Sequence, residues 1–224
     1  MTDEFALPTF DVEVPIGAGR DVVWEAVTQP PVIAQWFGWD HDGLVAEIEQ
    51  IFVAEATLIS PERMGWADGS YLEVIGDDDT ATVRVVREGG TPAGPDAYDA
   101  IEEGWTAFLA QLRFLIERRP TGRRRTLHLA GETTGWQVLE LVDGDWTRAG
   151  DRLAWAVDSD GHLVVASAHV PLDSPDAAAM RVTVSTFGLA DDAFASCRDD
   201  WTKRWAPVAD RARITFAGDP AADS

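Results

Sequence analysis

A chain of 224 residues carrying 39 acidic against 18 basic side chains, a net charge of -21, is long enough for one large domain or two small ones and repels phosphate backbones and anionic lipid headgroups. Nucleic acid and membrane surfaces are therefore not expected partners. The single cysteine, Cys197, excludes an intramolecular disulfide, no cysteine spacing is of metal type, and neither a secretion signal nor an uncharged stretch long enough to cross a bilayer is seen, so a cytoplasmic location is expected.

Taken in chain order, FDVEVPI reads as a strand and RDVVWEAV as a short helix that must end near Pro30 and Pro31, where the chain loses backbone donors. VIAQWF is a second short helix. The run GLVAEIEQIFVAEATLI alternates apolar and polar residues and reads as a strand, followed by ERMGWADGSYLEVIG and TATVRVVREG. GDDDT between the last two is a hairpin turn, since short acidic side chains bond their own backbone. From Asp96 to Arg118 the spacing predicts a long helix, with Tyr98, Ile101, Trp105, Phe108, Leu109, Leu112, Leu115 and Ile116 on one face. Asp96 is placed to cap its start, and Pro120 with Gly122 to stop it. Burying that face contributes on the order of 12 to 24 kcal/mol before entropy, an upper bound at about 1.5 to 3 per side chain. A wide apolar surface must face it, and the preceding strands are the candidate.

Beyond PTGRRR the same grammar returns in weaker form. AYDAIEEGWT (97–106) aligns without a gap on AFASCRDDWT (193–202), pairing Trp105 with Trp201. TVRVVREGG is echoed by RVTVSTFG, and TLHLAGETTGWQVLELV resembles the opening strand and helix. A duplication is expected, with one domain over 1–120, a degenerate copy over 121–218 and a disordered tail over 219–224. Charge is unequally shared: 23 acidic and 7 basic residues up to Arg119 give -16, leaving -5 for the rest.

The element order, together with VPIGAGRDVVWEAVTQPPVIAQWFG, ISPERMGW and IEEGWTAFLAQLRFLIE, resembles the SRPBCC (START-like, helix-grip) superfamily, in particular the branch similar to the C-terminal domain of the heat-shock protein 90 ATPase activator. Each motif describes packing; their order is the stronger signal. The resemblance implies an α+β helix-grip fold, in which a curved antiparallel sheet packs on a long C-terminal helix and a cavity between them accepts an apolar or aromatic molecule. It also implies relatives as different as carriers, hormone sensors, polyketide aromatase/cyclases and stress-linked bacterial proteins. Two departures stand out, a shortened stretch between Trp39 and the sheet and a long C-terminal extension.

The chain has no phosphate loop, no nucleophile elbow and no paired histidines on a helix. WDHDG places His41 between Asp40 and Asp42, a metal or general-base set only if a third partner folds nearby; a solvated loop is the simpler reading. His128, His162 and His169 lie in expected strands with no visible carboxylate partner. Ten tryptophans are many for this length, and Trp66, Tyr71, Trp105 and Phe108, with Leu109 and Leu112, fall where a helix-grip cavity is lined, either stacking on a ligand or filling the core. Arg84 alternates with Val83 and Val85 and either holds a ligand carboxylate or faces solvent. Cys197 falls on the apolar stripe of the second helix and reads as a buried, inert thiol. The expected function is binding of a small hydrophobic molecule, with no catalytic residue, metal or cofactor. A protein-interaction or co-chaperone-like module and an aromatase/cyclase-type enzyme are the alternatives.

Overall fold

The computed structural model describes residues 8–88, 91–92 and 98–218 and divides into two compact units. The first holds the described residues of Met1–Phe37 and Val45–Arg118; the second holds Gly38–Leu44 with those of Arg119–Ser224. The proposed tail at 219–224 lies outside the described residues, as does Asp96.

The first unit runs β1 (Pro8–Ile16), α1 (Arg20–Thr28), α2 (Pro30–Ile33), α3 (Leu44–Ile48), β2 (Thr57–Ser60), β3 (Arg63–Gly65), β4 (Ser70–Gly76), β5 (Ala81–Arg87), β6 (Thr91–Pro92) and α4 (Ala100–Arg118). Its sheet has the order β2-β3-β4-β5-β1-β6, antiparallel except for the short parallel pairing of β1 with β6. Val85 lies between Val12 and Leu72, and Val83 between Val14 and Val74, so one sheet face carries continuous apolar rows. Phe10 and Arg87 share this face, and Arg87 pairs with Asp99 at the head of α4, which puts the helix against it. Asp99 is the cap of α4: its Oδ1 accepts the Ile101 amide at 2.8 Å and the Glu102 amide at 3.3 Å. Trp105, Leu109, Leu112 and Ile116 are buried as their spacing predicts, whereas Ile101, in the first turn, is 49% exposed. Gly76 and Asp77 close the β4–β5 hairpin. A side chain at Gly76 would meet the Thr80 carbonyl at 2.2 Å, and Asp77 Oδ1 accepts the amides of Asp79 and Thr80, which holds its carboxyl below the usual range.

The strand expected from Gly43 is instead mostly helical: α3 continues into a π-helical turn over Glu49–Ala54, and only Thr57–Ser60 is extended. Leu44, Ile48 and Phe52 are buried while Val45 and Val53 are exposed. Apolar residues at every fourth position satisfy a two-residue and a helical period alike, and Glu47, Glu49 and Gln50 favour the helix.

The second unit runs β7 (Arg124–Thr133), α5 (Gly135–Leu139), β8 (Thr147–Arg148), β9 (Leu153–Val157), β10 (Leu163–Ala168), β11 (Ala178–Phe187), α6 (Asp191–Trp205) and β12 (Asp210–Thr215). Its antiparallel sheet has the order β12-β7-β11-β10-β9-β8. Leu127, Leu129, Val164, Val182, Phe194 and Trp201 belong to its core. Read from β8, this order is that of the first sheet with every strand number raised by six. The units differ in the last step, since β6 precedes α4 whereas β12 follows α6. At the entry to β7, Gly122 has φ +90° and its missing Cβ would lie 2.5 Å from Gly188 Cα, so both the turn and the close approach require glycine there.

Candidate functional site

Three of the seven residues picked out by aromatic spacing meet in the first unit. Trp66, Trp105 and Phe108 join Trp36, Phe37 and Phe52 in one cluster, with ring centroids 4.6 Å apart for Phe37–Phe108, 5.0 Å for Phe37–Phe52 and 5.8 Å for Trp66–Trp105. The indole N–H groups of Trp36 and Trp66 donate to the carbonyls of Ala26 at 2.9 Å and Ile51 at 2.8 Å, which fixes both rings. Phe52 reaches the cluster because the π-helical turn presents it there, a contribution that a strand reading of 43–59 hides. Leu109 and Leu112 are fully buried on α4.

Tyr71 and Arg84 lie on the other face of the sheet. The register pairs Tyr71 with Val86 and Glu73 with Arg84, one step out of phase with the Leu72–Val85 row that faces the core. There Arg84 Nε donates to Asp11 at 2.8 Å and its Nη1 to Glu73 at 3.4 Å, while Arg63 pairs with Glu73 and lies 4.2 Å over the Tyr71 ring. The hydrogen bond from Arg84 holds the Asp11 carboxyl below the usual carboxylate range, and burial raises the Tyr71 phenol. This is a charged ladder across strands, and Arg84 serves it as a structural cation.

A cleft of about 510 Å³ opens in the first unit between the last turns of α4 and the ends of β1, β4 and β5. Ile16, Ile75 and Ala81 supply apolar lining, and Thr82, Arg113 and Glu117 supply polar groups. None of the seven residues lines it. Arg113 Nε lies 3.1 Å from both carboxylate oxygens of Glu117, whose Oε1 also accepts the Gly17 amide at 3.1 Å. The only sequence signal for this pair is its four-residue spacing, which is indistinguishable from an ordinary surface ion pair.

In the second unit, WDHDG does not converge on one point. The Asp40 amide donates to Thr126 Oγ1 at 2.7 Å, His41 Nδ1 accepts the Gly43 amide, and Asp42 accepts the Gly218 amide. Trp39 stacks on His128 at 5.1 Å with an interplanar angle of 14°. Burial, reinforced by Arg181, pushes His128 down to about 4. Arg124 is buried, donates to Ser185 Oγ and to the Gly38 carbonyl, and is pulled by burial down to about 9, which leaves it charged at neutral pH. His162 does have a carboxylate partner, Asp158, at 3.3 Å. With Asp160 the pair brings three donor groups within 4.8 Å, although Asp158 already accepts the amides of Asp160 and His162 as a turn residue does.

Cys197 is pushed up to about 11, by burial first and then by Asp158. Its thiol is expected to react with iodoacetamide at pH 7.5 at least tenfold more slowly than glutathione. An equal rate measured by intact-mass spectrometry would show the thiolate to be accessible.

No protein-family profile and no curated protein matches the chain. Among solved structures it is similar to DynU16, a protein of the dynemicin biosynthetic locus, at 15% identity and a TM-score of 0.32 over 89% of this chain and 95% of that one. It is also similar to BexL, the di-domain ARO/CYC of the BE-7585A biosynthetic pathway, at 14% identity and a TM-score of 0.31 over 80% and 85%. At such TM-scores the likeness assigns no role to any residue here, and the resemblance to the heat-shock protein 90 activator branch rests on its motifs alone. Among the described residues no helix is long and apolar enough to cross a membrane.

Proposed function

We propose that the first unit is a helix-grip domain of SRPBCC type that binds a small hydrophobic or aromatic molecule where the end of its sheet meets the last turns of α4. The observation that carries this reading is the cleft of about 510 Å³, a size within the range of roughly 300 to 1,000 Å³ that suits small ligands. A single adduct is expected in native mass spectrometry against a library of lipids and aromatic compounds. Ile75 lines the cleft and is 54% exposed, so Ile75→Trp is expected to fill the space and abolish the adduct while leaving the melting temperature within about 2 °C, as surface substitutions do. An adduct that persists unchanged in Ile75→Trp would place the ligand elsewhere, and no adduct from the library would end the reading. Turnover of a poly-keto probe, in place of reversible binding, would favour an aromatase/cyclase-type enzyme.

The second unit is, in this reading, a degenerate duplicate of the first. The shared strand order supports it, as do the aligned positions of Trp105 on α4 and Trp201 on α6.

A further inference from the structure

We infer that the cleft selects an uncharged ligand ending in a carbonyl group, which accepts hydrogen bonds from the terminal nitrogens of Arg113; this rests on the cleft being the binding site. Three observations combine. First, Arg113 is the cation among the described lining residues, and it spends only Nε on Glu117, with no described residue taking up either terminal nitrogen. Those two nitrogens present four N–H donors in a planar fork. Second, the charge of Arg113 is already balanced by Glu117, which is itself held by the Gly17 amide. An arriving carboxylate therefore meets no net positive charge. Third, the residues up to Arg119 carry -16; of the unit's other arginines Arg20, Arg63, Arg84 and Arg87 are each paired with an acid, and Arg118 follows Glu117 in the last turn of α4 without lining the cleft. The excess of acid over base opposes an approaching anion, whereas a neutral acceptor takes the same hydrogen bonds without that repulsion. The rest of the lining, Ile16, Ile75 and Ala81 among it, suits an apolar body.

The test uses three probes of one shape on the full chain: acetylnaphthalene, naphthoate and ethylnaphthalene. Acetylnaphthalene is expected to bind about tenfold more tightly than either of the others, the increment of one hydrogen bond from a charged donor. In Arg113→Met its affinity is expected to fall to that of ethylnaphthalene. Arg113→Lys, which keeps the charge but not the fork, is expected to retain part of the preference and guards against a folding defect in the first variant. The carbonyl stretch of the bound ketone is expected at lower frequency in the wild type than in Arg113→Met, a shift that a merely structural arginine does not produce. Tightest binding of naphthoate, or a ketone preference that survives Arg113→Met, overturns the inference. Equal binding of all three overturns it too, with the cleft kept as the binding site where Ile75→Trp abolishes all three adducts, and failure of all three to bind removes both.

Discussion

Asp99→Ala is expected to destabilise the first unit by about 4 to 6 kcal/mol. Asp99 performs two tasks at once. Its carboxylate pairs with Arg87 where both side chains are nearly out of solvent, at 7% and 2% exposure, and removing one member of such a pair leaves an uncompensated charge at a cost of about 3 to 5 kcal/mol. It also accepts the amides of Ile101 and Glu102, and losing an N-cap adds about 1 kcal/mol. Asp99→Asn separates the two tasks, because asparagine caps a helix as well as aspartate but carries no charge. It is expected to fall between wild type and Asp99→Ala. Arg87→Met in the Asp99→Asn background is expected to recover part of the loss, since an apolar side chain in that place leaves no charge buried; the Phe10 ring lies 4.6 Å from the Arg87 guanidinium and offers it an apolar neighbour. Urea denaturation followed by tryptophan fluorescence measures all three, and a loss below about 1 kcal/mol for Asp99→Ala would mean that the pair is solvated.

The second unit is expected to lose about 3 kcal/mol of stability as the pH falls from 6.5 to 4. His128 is pushed down to about 4 from an ordinary value of 6.5 by burial, with Arg181 adding to the effect. The unfolded chain therefore binds the proton first, so this part of the stability is complete above about pH 6.5 and is lost progressively toward pH 4. A difference of that size corresponds to about 3 kcal/mol at 1.36 kcal/mol per pH unit. The ring is held neutral under Trp39 and beside Thr183 Oγ1 at 3.3 Å. His128→Phe keeps an aromatic partner for Trp39 and removes the titration. Its unfolding free energy is expected to be nearly flat between pH 6.5 and about 4.5, a window above the titration of Asp158, which is lowered by its hydrogen bonds to His162. An equal acid slope in wild type and His128→Phe would refute the assignment to this residue.

Local rules were sufficient for most elements. The helical spacing from Trp105 to Ile116 needs only the 3.6-residue period, Pro30 and Pro31 end α1 because they lack backbone donors, and Asp77 makes its turn with its own neighbours. The recurring strand and helix patterns on which the proposed duplication rests were legible for the same reason. The helix over 44–54 was not, because apolar residues four apart fit two periods, and burial of Ile48 and Phe52 in the packed first unit is what chooses between them.

The site divided in the same way. Aromatic spacing sufficed to select Trp66, Trp105 and Phe108, which do meet, but Phe37 and Phe52 join them only through the fold. Whether Tyr71 and Arg84 face the helix depends on register, and a strand in isolation has no inner face: pairing with β5 put Leu72 and Val85 inward and so turned these two outward. The cleft was decided by tertiary structure alone, because Gly17, Ile75, Thr82 and Arg113 come from four separate elements or turns whose ends converge only when the sheet and α4 have packed. Charge shows the same split. The excess of acid over base is written in the composition, yet which arginine retains unused donors beside an apolar space follows from who its neighbours are, and those are chosen by contacts between residues far apart in the chain.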